Sequence, residues 1–127
     1  MRFERKITYP MLTPDQIQHI IDYEIIVDAY DEYEMSSGWY ETMNDRLNFP
    51  FEATAALTKK GGGTEAKRVT IVELHSDSDD FMGDDFQLSM EVGGYVVPVK
   101  HSQLSDIDAD EETMEMFEIW DFWVKRR

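Results

Sequence analysis

The side chains able to do chemistry in this sequence are mostly carboxylates, and they gather in three places. Glu41 and Asp45 stand four residues apart at the end of a stretch holding eight carboxylates and no base between Asp22 and Asp45. Asp77, Asp79, Asp80, Asp84 and Asp85 crowd one loop around Gly83, and Asp106, Asp108, Asp110, Glu111 and Glu112 form a third run. Carboxylates packed this closely repel one another and raise their own proton affinity unless a cation sits among them. The natural partner is a hard divalent ion. Ca2+ in particular accepts about six to eight oxygens from flexible loops.

In the central loop, alternating Asp77 and Asp79 can converge on one point while Asp80, Asp84 or Asp85 closes from the other side of Gly83. The pattern is not an EF-hand. Asp106, Asp108 and Asp110 match its first three positions, but Glu111 stands where Gly belongs and Phe117 where the closing Glu should be. Glu41 and Asp45 repel mildly on one helix face, which favours a bound cation. Blander roles compete: an acidic loop also serves as a solvated turn, and residues 108–112 suit a helix start, where the dipole favours negative charge.

Other chemistries find little support. His19, His75 and His101 are scattered without ligand spacing, and Gly61-Gly62-Gly63 lacks the Lys-Ser/Thr of a phosphate loop and reads as a hairpin turn. No serine sits in a nucleophile elbow. The absence of cysteine excludes disulfides, thiolate metal sites and cysteine nucleophiles, and fits a reducing cytoplasm. With 27 acidic against 12 basic residues and a formal charge of -15, the chain is expected to bind neither nucleic acid nor an anionic membrane. The opening Met1-Arg2-Phe3-Glu4-Arg5-Lys6 lacks the apolar stretch of a signal peptide, and no apolar run is long enough to span a bilayer.

The elements that must position the carboxylates follow from periodicity. Thr13 can cap a helix with Pro14 in its first turn and Gln16 completing a capping box. Ile17, Ile20, Ile21 and Ile25 mark its buried face, and the pattern runs on to about Glu34. Ser36-Ser37-Gly38 reads as an interruption. Trp39, Tyr40, Met43 and Leu47 then give a second short helix stopping before Asn48-Phe49-Pro50. Residues 51–57 and 68–75 read as strands joined by a flexible turn, and residues 86–92 pair with 95–99 through Gly93-Gly94. Met116, Phe117, Trp120, Trp123 and Val124 line one face of a last amphipathic helix. The fold class is therefore α+β: a small antiparallel sheet of about four strands, partly closed like a barrel or strongly bent, between N-terminal helices and a C-terminal helix. Residues 1–127 form a single domain.

The segment Gly38-Trp39-Tyr40-Glu41-Thr42-Met43-Asn44-Asp45-Arg46-Leu47-Asn48-Phe49-Pro50-Phe51-Glu52-Ala53 resembles the signature of the CcbP-like calcium-binding proteins, small acidic bacterial proteins without EF-hands. That signature has a Trp followed by aromatics, an acidic residue before a Leu, and Phe-Pro-Phe-x-Ala. The likeness continues in Val97-Pro98-Val99, in Ser102-Gln103-Leu104, and in Thr113 with Trp120-Asp121-Phe122-Trp123, so it covers residues 38–124. The resemblance implies a β-barrel-like sheet wrapped by helices, and Ca2+ binding by carboxylates without catalysis. Asp45 matches the acidic position before Leu47, and Asp77, Asp79 and Asp80 sit where the family places an acidic segment after its second strand. Ile119 replaces the acidic residue usual before the first closing Trp.

The resulting expectation is a cytoplasmic Ca2+ buffer or sensor, with metal candidates Glu41, Asp45, Asp77, Asp79, Asp80, Asp84, Asp85, Asp108 and Asp110. The alternative is an acidic interaction module that binds a basic protein partner without metal. An enzyme using paired carboxylates is the least supported reading.

Overall fold

The computed structural model describes residues 11–126. The capping box at Thr13 forms as the residue types require: the Gln16 amide donates to Thr13 Oγ1 at 3.2 Å, and the Thr13 amide donates to Gln16 Oε1 at 2.9 Å. Helix α1 (Pro14–Ile20) widens into a π-helical turn over Ile21–Ile25 and stops. Asp28 then adopts φ 58°, and Asp31 caps a new helix, α2 (Glu32–Arg46), by accepting the Glu34 N–H at 2.8 Å. The expectation of one helix running to Glu34, with a break at Ser36-Ser37-Gly38, is thus corrected. The break comes earlier, and those three residues lie inside α2. They are small because the helix is crossed there: a Cβ on Gly38 would sit 2.1 Å from the Ile25 carbonyl oxygen, and the Ser36 hydroxyl is buried.

Leu47 turns extended at the end of α2, and Asn48-Phe49-Pro50 leads into β1 (Phe51–Thr58). Strand β1 pairs with β2 (Thr64–Leu74), placing Phe51 opposite Ile71 and Ala53 opposite Val69. Gly61, Gly62 and Gly63 all take positive φ in the turn between them, a conformation that side chains disfavour. Strands β3 (Gln87–Val92) and β4 (Tyr95–Lys100) form the expected hairpin through Gly93-Gly94. A fifth strand, β5 (Leu104–Asp108), pairs with β1, giving the antiparallel order β4-β3-β2-β1-β5.

Among the described residues the sheet is therefore open and five-stranded, not a partly closed sheet of four. The edges β4 and β5 do not meet; helices cover the apolar face in place of a closing seam. Helix α3 (Glu111–Arg126) supplies Met116, Phe117, Ile119 and Trp120 to the core. Phe117 meets Phe51 edge-on at 5.8 Å, and Trp120 meets Trp39 of α2 at 5.1 Å and Phe86 at 5.3 Å. Such aromatic packing contributes beyond the burial of area alone. Among the described residues no helix is long and apolar enough to cross a membrane.

Candidate functional site

The acidic loop between β2 and β3 is pinned at three points. At its base the His75 and Ser76 amides donate to the Gln87 carbonyl at 3.0 and 3.1 Å, and the Gln87 amide donates to Ser76 Oγ at 2.7 Å. At its centre Phe81 is buried, stacked on Phe86 at 5.3 Å and edge-on to Trp120 at 5.7 Å. From below, Ser36 Oγ donates to the Ser78 carbonyl and accepts the Phe81 N–H at 2.9 Å. An apolar plug and one buried hydroxyl thus hold a loop whose Asp77, Asp79, Asp80 and Asp84 face solvent. Asp80 is partly used within the loop, accepting the Asp77 N–H at 2.7 Å.

Asp85 is the pivot. Its carboxylate accepts the Ser102 N–H at 3.1 Å and the Ser102 hydroxyl at 2.5 Å. It lines two hollows. One, of about 470 Å3, is shared with Asp84, Ser102, Asp106, Asp121 and Lys125; the other, of about 270 Å3, with Ser76, Asp80, Gln87 and Lys100. Burial pushes the Asp121 carboxyl up to about 6, with the Asp85 charge adding to the rise and Lys125 opposing it. His101 lies against Phe86 at 4.9 Å and Phe117 at 4.7 Å, and burial lowers it to about 4 against the pull of Asp85. It is a neutral core ring at neutral pH. The acidic runs are free of bases in the sequence, but folding brings Lys100 and Lys125 to the edges of these hollows, and the Lys125 charge opposes the rise at Asp121.

The other candidates are placed elsewhere. Asp110 caps α3, its carboxylate accepting the Thr113 N–H at 2.9 Å and the Asn48 carboxamide at 2.6 Å. Desolvation raises its proton affinity, but the hydrogen bonds from Thr113 and Asn48 outweigh that and hold the carboxyl below its ordinary range. Asp108 is exposed at the end of β5, opposite Glu52. Glu41 joins Glu24, Asp28, Asp31 and Glu34 around a separate hollow of about 420 Å3 at the α1–α2 corner. Asp45 is exposed on α2 and lines none of these hollows. Among the described residues no three His, Asp or Glu side chains converge closely enough to hold a metal ion.

Two residues escaped the sequence reading. Asp121 interrupts the apolar run of α3 beside Trp120, and that interruption was the available signal. Ser102 gave none. A second acid of α3, Glu118, is buried for a structural reason, accepting the Met11 N–H at 3.0 Å and the Leu12 N–H at 3.1 Å.

Comparison with known proteins bears on this arrangement. A family model described as calcium binding, that of the CcbP proteins, matches residues 19–124, reaching further back than the expected likeness over 38–124. Among solved structures the chain is similar to Anabaena CcbP, at 29% identity and a TM-score of 0.75, covering 91% of this chain and 94% of that one. It is also similar to a calcium binding protein described in its calcium-binding form, at 31% identity and a TM-score of 0.70, covering 88% of this chain and 91% of that one. No curated protein matches.

Proposed function

Because the chain belongs to the CcbP calcium-binding family, we propose that it binds Ca2+ at the hollow beside Asp85 and works as a Ca2+ buffer or sensor in the cytoplasm, without catalysis. The observation that carries the reading is the family match over residues 19–124, joined by a similar structure described in its calcium-binding form. The donor chemistry around Asp85 fits a hard cation. Asp84, Asp85, Asp121 and the Ser102 hydroxyl offer only oxygen, and they come from the loop, the segment after β4, and α3.

Ion binding here has to draw the carboxylates together, since they do not yet converge. The part best placed to adjust is the short arm around exposed Gly83 and Asp84, between the Phe81 anchor and Asp85, which Ser102 holds. A bound ion neutralises Asp84 and Asp85, displaces the proton that Asp121 holds below about pH 6, and takes over the charge compensation that Lys125 gives Asp121. Closure of a pinned loop onto α3 gives a sensor if it changes a surface that a partner reads, and a buffer if it does not.

Calorimetric titration with Ca2+ in physiological salt and millimolar Mg2+ tests this on the wild type and on Asp85→Asn and Asp121→Asn. Saturable binding weakened in both variants is the expected result. Saturable binding that both variants retain in full would move the site away from Asp85, and no binding at all would defeat the calcium reading.

A further inference from the structure

The corner where α1 gives way to α2 carries features that the calcium account does not use. Tyr23, Tyr30 and Tyr33 expose 67%, 86% and 64% of their surface, and Val27 exposes 51%. Tyr23 lies apart against the His19 ring, but Val27, Tyr30 and Tyr33 fall within seven residues of the α1–α2 turn, and exposed apolar surface gathered in one place marks interaction sites. Val27 and Tyr33 line the hollow of about 420 Å3 whose other walls carry Glu24, Asp28, Asp31, Glu34 and Glu41. Tyr30 follows Ala29 and precedes Asp31, both of which line the hollow, and its amide donates to Glu34 at 3.2 Å.

The corner is also preformed. Gly38 admits the Ile25 carbonyl directly against α2, and Asp31 and Glu34 fix the entry to that helix through backbone hydrogen bonds. A rigid surface loses little entropy on binding. The occupant follows from charge and ring chemistry. Carboxylates alternate with tyrosine rings, and no base lies between Asp22 and Asp45. A guanidinium satisfies both, forking onto a carboxylate while its plane stacks on an aromatic face; an ammonium does the second poorly. At the corner's edge one guanidinium already meets one of these acids, Arg46 donating to Glu24 at 2.6 Å through a single N–H.

We propose that the Tyr30–Tyr33 corner, with Glu24, Asp28, Asp31 and Glu34, docks an arginine-rich segment of a partner protein, independently of bound calcium. The test uses a fluorescent nona-arginine peptide and its nona-lysine counterpart, followed by anisotropy at physiological salt in EGTA. Tyr30→Ser/Tyr33→Ser leaves the charge unchanged, whereas Glu73→Gln/Glu91→Gln removes two carboxylates from exposed positions on β2 and β3. The expected result is tighter binding of the arginine peptide, weakened about fivefold or more by the tyrosine pair and restored by Tyr30→Phe/Tyr33→Phe, with less than about a twofold effect of the sheet pair. Affinity that follows only the number of carboxylates, wherever they lie, or that ignores the tyrosine variants, would overturn the proposal. Because calcium is absent throughout, failure here leaves the metal reading untouched.

Discussion

In the run 106–112, Asp110 accepts hydrogen bonds from Thr113 and Asn48, and its carboxyl is held below the ordinary range. In the loop 77–85, Asp85 is bonded by Ser102 yet faces Asp121, whose carboxyl burial pushes up to about 6. The two runs look alike as sequences and differ in what their backbones offer. A helix start presents unpaired N–H groups that satisfy an acid internally. The loop instead sets one carboxylate, Asp85, against Asp121 of α3, a repulsion that a cation placed there would relieve. Acidity alone therefore does not distinguish the two runs; what does is that Asp110 is paired with neutral donors, whereas Asp85 faces a second, partly buried carboxyl on α3.

The contrast can be sharpened by substitution. The largest effect is expected from Asp85→Asn, which removes the charge common to both hollows and should lower Ca2+ affinity by about 10- to 100-fold in calorimetry. Asp121→Asn follows, weakening Ca2+ by about fivefold. The same variant should stabilise the metal-free protein at pH 7. The sign is set by a folded-state pKa near 6 against an ordinary 3.8: ionising Asp121 opposes folding above about pH 6, and the opposition fades as pH falls towards 4. The gain, read as a rise in urea midpoint, is about 1 kcal/mol once solvent screening of this partly exposed group is discounted.

Asp110→Ala should act in the opposite sense, costing about 1 kcal/mol of stability through the lost cap while leaving Ca2+ affinity within about twofold. The Asp110 contribution is present above the ordinary carboxylate range and is lost as pH falls through its lowered folded value. The smallest effect belongs to Asp108→Asn, expected to change stability by less than about 0.5 kcal/mol, with no change in Ca2+ binding. A large calcium effect from Asp108 or Asp110 would break the contrast.

How much was readable from residues alone varies by element for physical reasons. The Thr13 capping box, the Gly93-Gly94 hairpin and the apolar face of α3 are local signals, and the structure contains all three. Strand β5 was hidden because only Leu104 and Ile107 are apolar in it; its register against β1, not its own alternation, makes it a strand. The α1–α2 boundary misled because Ser36 and Gly38, read as breakers, are the small residues that a crossing chain and a pinned loop require. Of the carboxylate runs, composition showed that charge was crowded, but the pairing of Asp85 with Asp121 joins positions 36 residues apart and depends on how α3 docks.

The most direct test of the central claim is a Ca2+ titration followed by backbone amide NMR shifts in physiological salt and millimolar Mg2+. The account predicts saturable shifts concentrated at residues 82–86, at Ser102 and around Asp121, with the amides of 108–113 unmoved. Saturable shifts centred on residues 108–113, or none at all, would contradict it.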